Sequence, residues 1–192
     1  MKYIIFSGTT GSGKDTIINR LHEDLKNLQI EPVKRAWYYT TRKVDRKGEN
    51  PNRKDKISDE EFNEKVSKGE IILDHKNSNY QVGYPSEILN EKSGIIIFNI
   101  AVWAAKQLQD YALQNDGRAV TIFLDAPKEQ RIGRIKHRDG LSADESVIFK
   151  VENDITKSEH ATGYNLVVQN KDGDLEKNYE IILSKVKEFL NA

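Results

Sequence analysis

Short apolar runs alternate with longer amphipathic segments along this chain. Short runs rich in β-branched and aromatic residues are typical of strands in a parallel sheet, where both faces are covered. The longer segments between consecutive runs have helical character and supply the crossover connections that parallel strands require. We therefore predict an α/β fold in which helices cover a mostly parallel sheet. The predicted strands lie within residues 3–6, 33–39, 95–100, 120–124 and 166–168.

Several of the helices have recognisable start signals. Ser58 followed by Glu61 forms a capping box, which predicts a helix from there to Lys68. Pro85 and Pro127 stand where a proline in the first turn of a helix is tolerated. These signals agree with the alternation of strands and helices.

Two segments lack the apolar residues that a packed element needs. Residues 43–56 are dense in Lys, Arg, Asn and Asp, and residues 138–144 form a short polar stretch between helical segments. Because neither segment can bury itself, we expect both to be mobile until a ligand orders them.

The composition fits one globular domain and excludes several kinds of site. The chain has 192 residues, and 30 Lys and Arg balance 30 Asp and Glu, so no global field favours nucleic acid or anionic lipid. The absence of cysteine excludes disulfides and thiolate metal sites, and the four histidines show no ligand spacing. The longest apolar stretch, residues 94–105, is broken by Asn99 and is shorter than the roughly 18 residues of a membrane span. We expect a cytoplasmic monomer or homodimer that binds neither nucleic acid nor membrane.

Residues 8–14 read G-T-T-G-S-G-K, which fits the phosphate-binding pattern G-x-x-x-x-G-K. The segment follows the first predicted strand and precedes an amphipathic stretch, which is the context that the pattern requires. Its glycines let backbone N–H groups point inward, and the Lys14 ammonium supplies a charge for the β- and γ-phosphates. We expect ATP, or a close relative of ATP, to bind here; a glycine-rich turn without a ligand is the alternative. The predicted nucleotide-binding residues are Gly8, Thr9, Gly11, Ser12, Gly13, Lys14, Asp15 and Thr16.

Asp15 departs from the loop pattern, because it stands where a Ser or Thr hydroxyl usually contacts Mg²⁺, and Thr16 follows it. A carboxylate is a good hard ligand for Mg²⁺ but repels phosphate. Two interpretations stay open. Asp15 lies in or near the metal shell, or it is a helix N-cap that stabilises the first turn.

Ordered motifs at compatible spacing continue along nearly the whole chain. T-T-R stands at 40–42 and R-K-G-E at 46–49. With the phosphate loop these stretches resemble the guanylate kinase family, whose acceptor lobe carries T-T-R and R-x-G-E in this order. The other matching stretches are S-D-E-E-F at 58–62, K-G-E-I at 68–71, Asn79-Tyr80 with Gly83, A-P at 126–127, Arg134, R-D-G at 138–140 and Glu145-Ser146.

The resemblance implies a P-loop NTPase three-layer sandwich with a parallel five-stranded core sheet, an inserted acceptor-binding lobe and a short lid. Residues 1–192 then form a single guanylate kinase-like domain, with the core at 1–39, 93–134 and 151–192, the lobe at 40–92 and the lid at 135–150. The resemblance also implies transfer of the γ-phosphoryl group of ATP, with Mg²⁺, to a nucleoside monophosphate. GMP is the leading candidate.

Basic residues carry the chemistry that this resemblance implies. Arg42 and Arg46 would hold the acceptor phosphate, while Arg134 and Arg138 would close over the transferring group, together with Lys14. Phosphoryl transfer needs in-line positioning and neutralisation of charge, and an ionised acceptor needs no strong base. Arginine suits this task because its planar fork engages two phosphate oxygens. The predicted substrate-binding residues are Arg42, Arg46, Glu49, Asp74, Tyr80 and Asn99, and the predicted metal ligand is Asp15.

The acceptor lobe departs from the family pattern at several positions. The gap between the arginines of its first two motifs is one residue longer than usual, and Lys56 stands where the family has a phosphate-binding tyrosine. Leu73 and Asn99 replace the two carboxylates that read guanine. A carboxylate accepts two hydrogen bonds from the guanine edge and leucine accepts none, so base choice is relaxed or switched unless Asp74 takes over.

Three other interpretations stay open. The G-K-D spelling of the loop and Asn99 also resemble the ribose 1,5-bisphosphate phosphokinases, whose acceptor has no base. Another nucleoside or deoxynucleoside monophosphate is a second alternative acceptor. The third is a binding module, because some guanylate kinase-like domains lack catalysis and bind phosphorylated peptides. An intact Gly13-Lys14 pair and the lid arginines disfavour the module.

Three further side chains have open roles. Asp125 ends a predicted strand in the sequence F-L-D-A-P, which resembles a motif of thymidylate and adenylate kinases. It is either a carboxylate that binds Mg²⁺ through water or a helix cap before Pro127. Tyr84 flanks Gly83 and either belongs to the acceptor site or fills the lobe by packing. Trp103, in the helix after the third predicted core strand, is expected to be buried.

Overall fold

The computed structural model describes residues 1–29, 31–43, 54–76, 80–139, 149, 151 and 162–192. Strands and helices alternate through the core as the hydrophobic pattern predicts, but the run at 33–39 forms two strands, Val33–Arg35 and Tyr38–Thr40, which belong to different sheets. The elements in chain order are β1 (Lys2–Gly8), α1 (Lys14–Leu28), β2 (Val33–Arg35), β3 (Tyr38–Thr40), β4 (Lys54–Lys56), α2 (Asp59–Ser67), β5 (Ile71–Lys76), β6 (Gln81–Pro85), a 3-10 helix (Ser86–Asn90), β7 (Ile95–Asn99), α3 (Val102–Gln114), β8 (Arg118–Asp125), α4 (Lys128–Asp139), β9 (Leu166–Gln169) and α5 (Leu175–Asn191).

The central sheet has five parallel strands in the order β2-β7-β1-β8-β9. β1 lies in the middle and is buried from Tyr3 to Ser7. Burial on both faces explains why these strands read as continuous apolar runs. The chain leaves β1 between the carboxyl ends of β7 and β8, which is the crevice where open α/β sheets bind ligands. The predicted α/β fold with a parallel five-stranded sheet is confirmed.

Helices cover both faces of the central sheet and complete the three layers. Alternate residues of β1 point to opposite layers, because successive side chains of a strand alternate. Ile4 and Phe6 pack with α1 and α5 through Ile17, Leu21, Ile182 and Val186. Tyr3 and Ile5 pack with α3 through Ala104 and Leu108.

The start of α2 is the one that the capping box predicts. The backbone N–H of Glu61 donates to Ser58 Oγ at 3.1 Å. Acidic residues fill the first turn, where the positive end of the helix dipole stabilises them. Phe62 in the same turn is fully buried and fixes the helix against the sheet described next.

A second sheet, which we call the lobe sheet, has four strands in the order β4-β3-β6-β5. β6 is antiparallel to both β3 and β5, while β3 and β4 are parallel. This sheet and α2 lie in the part of the chain where residues 40–92 are predicted to form the acceptor lobe. The first strand of the lobe sheet begins slightly earlier, at Tyr38.

The two sides of the lobe sheet face different neighbours. On the α2 side, a Cβ added at Gly83 would lie 3.1 Å from Phe62 Cζ and 3.2 Å from Asp74 Cβ. On the opposite side, the Tyr84 ring packs on Phe98 of β7 with 5.4 Å between ring centroids. We call this opposite side the core-facing side.

Several sequence predictions lie partly or wholly outside the described residues. Positions 44–53 contain Arg46 and Glu49, and positions 140–148 contain most of the predicted lid. The end of the first polar segment does belong to the structure, since residues 54–56 form β4 and Lys54 is buried. No helix among the described residues is long and apolar enough to cross a membrane.

Candidate functional site

The phosphate loop connects β1 to α1 at the carboxyl edge of the central sheet. Gly8, Gly11 and Gly13 have φ values of 142°, 82° and 91°, a region that favours glycine. A Cβ at Gly8 would lie 1.9 Å from the carbonyl oxygen of Leu124 in β8. The glycines therefore let the loop both curl and press against the neighbouring strand.

The Lys14 side chain folds back over the loop that precedes it. Its Nζ donates to the carbonyl oxygens of Gly8 at 2.9 Å and Thr9 at 2.7 Å, and lies 3.4 Å from Ser12 Oγ. An ammonium group held this way sits at the centre of the loop, where it can meet an incoming phosphate oxygen. The structure thus brings together the predicted loop residues and their cation.

Two buried asparagines support the loop from behind, and the sequence patterns did not reveal them. Asn170 Nδ2 donates to the carbonyl oxygen of Ser12 at 2.8 Å. Asn178 Nδ2 in turn donates to Asn170 Oδ1 at 3.1 Å. A Cβ at Gly13 would lie 2.6 Å from Asn170 Nδ2, so the amide packs directly on the loop. The only sequence signal was that Asn170 stands two positions after the last predicted strand.

Asp125 connects the end of β8 to the loop. Its Oδ1 accepts a hydrogen bond from Thr9 Oγ1 at 2.7 Å, and its Oδ2 accepts one from Gln169 Nε2 at 3.3 Å. Each carboxylate oxygen thus accepts one hydrogen bond from a described residue, and neither bond caps the start of α4. Asp125 therefore fixes the loop, whereas its predicted contact with Mg²⁺ through water stays a prediction.

Arg131 is a buried cation that sequence reasoning missed. Its side chain is 3% exposed, and Nε lies 3.9 Å from Asp125 Oδ1. Nε and Nη1 have no hydrogen-bond partner among the described residues. A Cβ at Gly11 would lie 2.9 Å from the Arg131 carbonyl oxygen, so this turn of α4 packs on the loop. A positive charge so close to the loop adds to the attraction for phosphate.

Asp15 lies at the start of α1, but it is not the N-cap. Gly13 occupies the N-cap position and α1 begins at Lys14, so the capping interpretation of Asp15 is wrong. Its Oδ1 accepts a hydrogen bond from Asn99 Nδ2 at 3.1 Å and lies 4.0 Å from Arg35 Nη2. The side chain is 67% exposed, which leaves it open to the crevice.

Asp15 fits a Mg²⁺ ion that arrives with a nucleotide rather than a permanent metal site. Among the described residues, no group of three His, Asp or Glu side chains could hold an ion alone. Mg²⁺ usually binds through one or two carboxylates together with substrate phosphates and water. One exposed carboxylate beside a phosphate loop meets that requirement, so Asp15 as the ligand stays a prediction.

Arg134 reaches the loop from α4 on the side away from Asp15. It donates to the carbonyl oxygens of Gly11 at 3.3 Å and Asn170 at 2.9 Å, and to Asp172 Oδ1 at 2.6 Å. Arg138 lies one turn later on the same helix face. The structure places Arg134 beside the loop, and the predicted closure of both arginines over the transferring group stays a prediction.

The T-T-R turn is fixed by its own hydroxyl groups. The backbone N–H of Arg42 donates to Thr40 Oγ1 at 3.2 Å, and Gln81 N–H donates to Thr41 Oγ1 at 3.0 Å. The Arg42 guanidinium carbon lies 5.5 Å from the centre of the Tyr80 ring. Two predicted acceptor-binding residues, Arg42 and Tyr80, are therefore neighbours.

Asp74 does not join the other predicted acceptor-binding residues. Leu73 has φ 51°, and the pairing of β5 with β6 shifts register between Ile72 and His75. As a result Asp74 Cβ lies on the α2 side, against Gly83. The structure thus gives no geometric support to the idea that Asp74 replaces the guanine-reading carboxylate.

Tyr84 forms a joint between the lobe sheet and the core. Its ring is 2% exposed, and its hydroxyl donates to the carbonyl oxygen of Asn99 at 2.6 Å. It is therefore a packing residue next to the crevice at the carboxyl edge of the central sheet. Trp103 was expected to be buried, but this is wrong, because Trp103 is 44% exposed at the start of α3.

Known proteins resemble this chain in sequence and in fold. A family model described as an AAA domain matches residues 4–155. The guanylate kinase of Blochmanniella floridana is 29% identical over 188 residues, which cover 94% of this chain and 85% of that protein. The guanylate kinase of Malacoplasma penetrans is 27% identical over 193 residues, covering 97% and 95%. The crystal structure of guanylate kinase from Anaplasma phagocytophilum matches with a TM-score of 0.69 and 21% identity, covering 97% of this chain and 84% of that one.

Proposed function

The chain belongs to the AAA-domain family and is homologous to guanylate kinases over nearly its whole length, and we propose that this nucleoside monophosphate kinase transfers the γ-phosphoryl group of ATP to GMP. The position of the Lys14 ammonium carries the proposal. It lies within 2.9 Å of the Gly8 and Thr9 carbonyl oxygens, at the centre of a loop whose glycines turn the backbone inward. A triphosphate entering the loop would take over these bonds.

Charged side chains lie on both sides of the phosphate loop. They support an arrangement in which the donor nucleotide and the acceptor are held in line for phosphoryl transfer. Arg131 and Arg134 lie against the loop on the α4 side, where the nucleotide phosphates would be held. On the other side Asp15 and Asn99 join α1 to β7, and the lobe sheet brings Arg42 near Tyr80. Such an arrangement leaves the crevice between the two sides for the transferring phosphoryl group.

Phosphoryl transfer between phosphates requires the protein mainly to position the two substrates and to neutralise their charge. A phosphate acceptor is already ionised at neutral pH, so the attacking oxygen needs no general base. Mg²⁺ bound with ATP would neutralise phosphate charge, and the exposed Asp15 carboxylate would hold it. The basic side chains would stabilise charge that spreads over the equatorial oxygens during transfer.

An acceptor screen tests this proposal. Purified protein is mixed with ATP, Mg²⁺ and, one at a time, each nucleoside monophosphate, each deoxynucleoside monophosphate and ribose 1,5-bisphosphate, and ADP release is followed. We expect GMP to stimulate ADP release, and we expect this stimulation to be lost in Lys14→Ala. ADP release that no nucleoside monophosphate stimulates would contradict the proposal.

A different phosphorylated acceptor is the second candidate. It is favoured by the core-facing side of the lobe sheet, where the described residues Ile72, Leu73, His75, Val82 and Tyr84 include no carboxylate. Guanine offers two N–H donors that such a surface leaves unpaired. In the same screen, higher turnover with ribose 1,5-bisphosphate or another nucleotide than with GMP would select this candidate.

A binding module without catalysis is a third possibility that the screen also addresses. Peptide binding without any nucleotide binding would favour it, whereas the Lys14 arrangement favours an enzyme. We further propose that the protein acts in the cytoplasm on small-molecule nucleotides, as a monomer or a homodimer. Its balanced charge, 30 basic against 30 acidic residues, supports partners of this kind over nucleic acid.

A further inference from the structure

An aromatic contact joins the lobe sheet to the core beside the candidate acceptor crevice. His75 of β5 and Trp103 of α3 meet edge to face, with 6.2 Å between ring centroids and 76° between ring planes. The two residues are 28 positions apart, and each comes from a different part of the fold. The contact therefore exists only when the lobe sheet and the core lie together.

His75 faces the core, as its strand partners show. In the antiparallel pair of β5 and β6, His75 lies opposite Val82 and Ile72 lies opposite Tyr84. Partners across a ladder share a side of the sheet, and so do residues two apart on a strand. Since the Tyr84 hydroxyl reaches the carbonyl oxygen of Asn99, all four side chains lie on the core-facing side.

Trp103 lies close to the residues that connect with the phosphate loop. It is in the first turn of α3, four positions after Asn99, whose amide binds Asp15. The indole is 44% exposed although it is a large apolar ring. Part of it packs on His75, and much of the rest is open to solvent at the carboxyl edge of the sheet.

We propose that Trp103, positioned by His75, stacks on the base of the acceptor nucleotide. The inference rests on the proposed function, and it deepens that function by naming how the acceptor is recognised. Every nucleobase has a π-face, so stacking binds bases without demanding one pattern of hydrogen bonds. The described core-facing residues offer no carboxylate to a guanine edge, so stacking replaces edge recognition.

One consequence is that the protein should select its acceptor by the size of the base ring system rather than by hydrogen bonds to the edge of the base. Purine monophosphates stack over a larger area than pyrimidine monophosphates and should be the better acceptors. GMP and AMP should have kcat/KM values within about tenfold of each other, because the described residues of this surface include no carboxylate that would pair with the N–H donors of guanine.

Steady-state kinetics of Trp103 variants test the stacking surface. Trp103→Leu should raise the KM for the best nucleoside monophosphate about tenfold or more and leave the KM for ATP unchanged. Trp103→Phe should restore most of the affinity, because it keeps an aromatic face. Trp37→Phe is the matched control and should change neither constant, since Trp37 packs on Tyr39 on the lobe sheet.

Fluorescence supplies a second measurement that does not depend on turnover. The chain has two tryptophans, so Trp37→Phe leaves Trp103 as the only indole. Titration with the nucleoside monophosphate, without ATP, should quench this emission, and ribose 5-phosphate should not. His75→Leu should weaken the quenching, because the indole loses the ring that orients it.

The outcomes separate the two proposals. Protein that phosphorylates no nucleoside monophosphate contradicts the proposed function itself. If the protein phosphorylates them, but the acceptor KM is the same in the Trp103 variants and the Trp103 emission does not change on titration, only the stacking surface is contradicted. Because Trp103 is half-exposed, its variants should fold, and their far-UV circular dichroism should match the unsubstituted protein.

Discussion

The side-chain amide of Asn99 donates a hydrogen bond to Oδ1 of Asp15 across 3.1 Å. This bond ties the end of β7 to the first turn of α1, directly after the phosphate loop. It holds one carboxylate oxygen and leaves the side chain 67% exposed to the crevice. A carboxylate in this place would repel phosphate unless a cation lies between them. We therefore expect Asp15, the unusual residue of the loop, to act together with a metal ion.

Replacing Asp15 by Ser should weaken the response to Mg²⁺ without removing nucleotide binding. We expect the Mg²⁺ concentration for half-maximal activity to rise about tenfold or more. Calorimetry without Mg²⁺ should show ATP binding as tight as in the unsubstituted protein or tighter, because a repulsive charge is gone. Glu23→Gln, an exposed change on the same helix, is the control. An unchanged Mg²⁺ requirement in Asp15→Ser would remove the ligand role.

Truncation of Arg134 should lower stability as well as activity. Arg134→Ala removes four hydrogen bonds, two of them to Asp172, and leaves the carbonyl oxygens of Gly11 and Asn170 short of a donor. The free energy of unfolding should fall by about 1–3 kcal/mol in urea titrations. Asp172→Asn should cost less than about 1 kcal/mol, because Asp172 is 64% exposed and its ion pair is screened. Equal losses in the two variants would mean that the loop contacts of Arg134 add nothing.

Alanine at Gly8 should prevent the loop from closing against β8. The new Cβ would lie 1.9 Å from the Leu124 carbonyl oxygen, and the φ of 142° is itself unfavourable for alanine. We expect a loss of at least about 3 kcal/mol in the free energy of unfolding. Gly133→Ala is a matched control in the middle of α4, where nothing lies within 4 Å of the new Cβ. It should stabilise the protein by up to about 1 kcal/mol, and similar melting temperatures for the two variants would refute the expectation.

The sequence carried the information for the sheet and the loop, because both depend on local patterns. Tyr3 to Phe6 reads as a buried strand, and the glycine and lysine spacing of residues 8–14 leads directly into α1. Ser58 and Glu61 marked the start of α2. Such features need only neighbours in the chain, so periodicity and capping chemistry reveal them.

Contacts between distant residues could not be read in the same way. Asn170 binds Ser12 across 158 positions, and nothing in either local sequence indicates the partner. The sequence predicts Asp74 as an acceptor-binding residue, but the irregular register of β5 places its side chain on the α2 side. A shift of one position moves a strand side chain to the opposite face, so base recognition cannot be inferred without the fold.

His22 in α1 should make stability depend on pH. Burial of the imidazole is the main cause that lowers its pKa below the ordinary value of 6.5, and it outweighs the opposing effect of Glu23. A lowered pKa means that the folded protein favours the neutral ring. Its contribution is therefore fully present above pH 6.5 and is lost as the pH falls through the folded-state pKa.

Urea titrations at pH 8 and pH 5 measure this effect in the unsubstituted protein and in His22→Gln. We expect the free energy of unfolding to fall more steeply toward pH 5 in the unsubstituted protein than in the variant. A steeper fall in His22→Gln would show that the charged form of His22 is the stabilising one.

Phosphorus-31 NMR of ATP, Mg²⁺ and GMP with the protein tests the central claim most directly, because it follows where the γ-phosphoryl group goes. We expect the γ signal of ATP to decline while the β signals of ADP and GDP grow, and we expect Lys14→Ala to slow this transfer about 100-fold or more. If the γ-phosphoryl group appears only as inorganic phosphate, or if no nucleoside monophosphate ever gains a second phosphate, phosphoryl transfer between nucleotides is not the function of this protein.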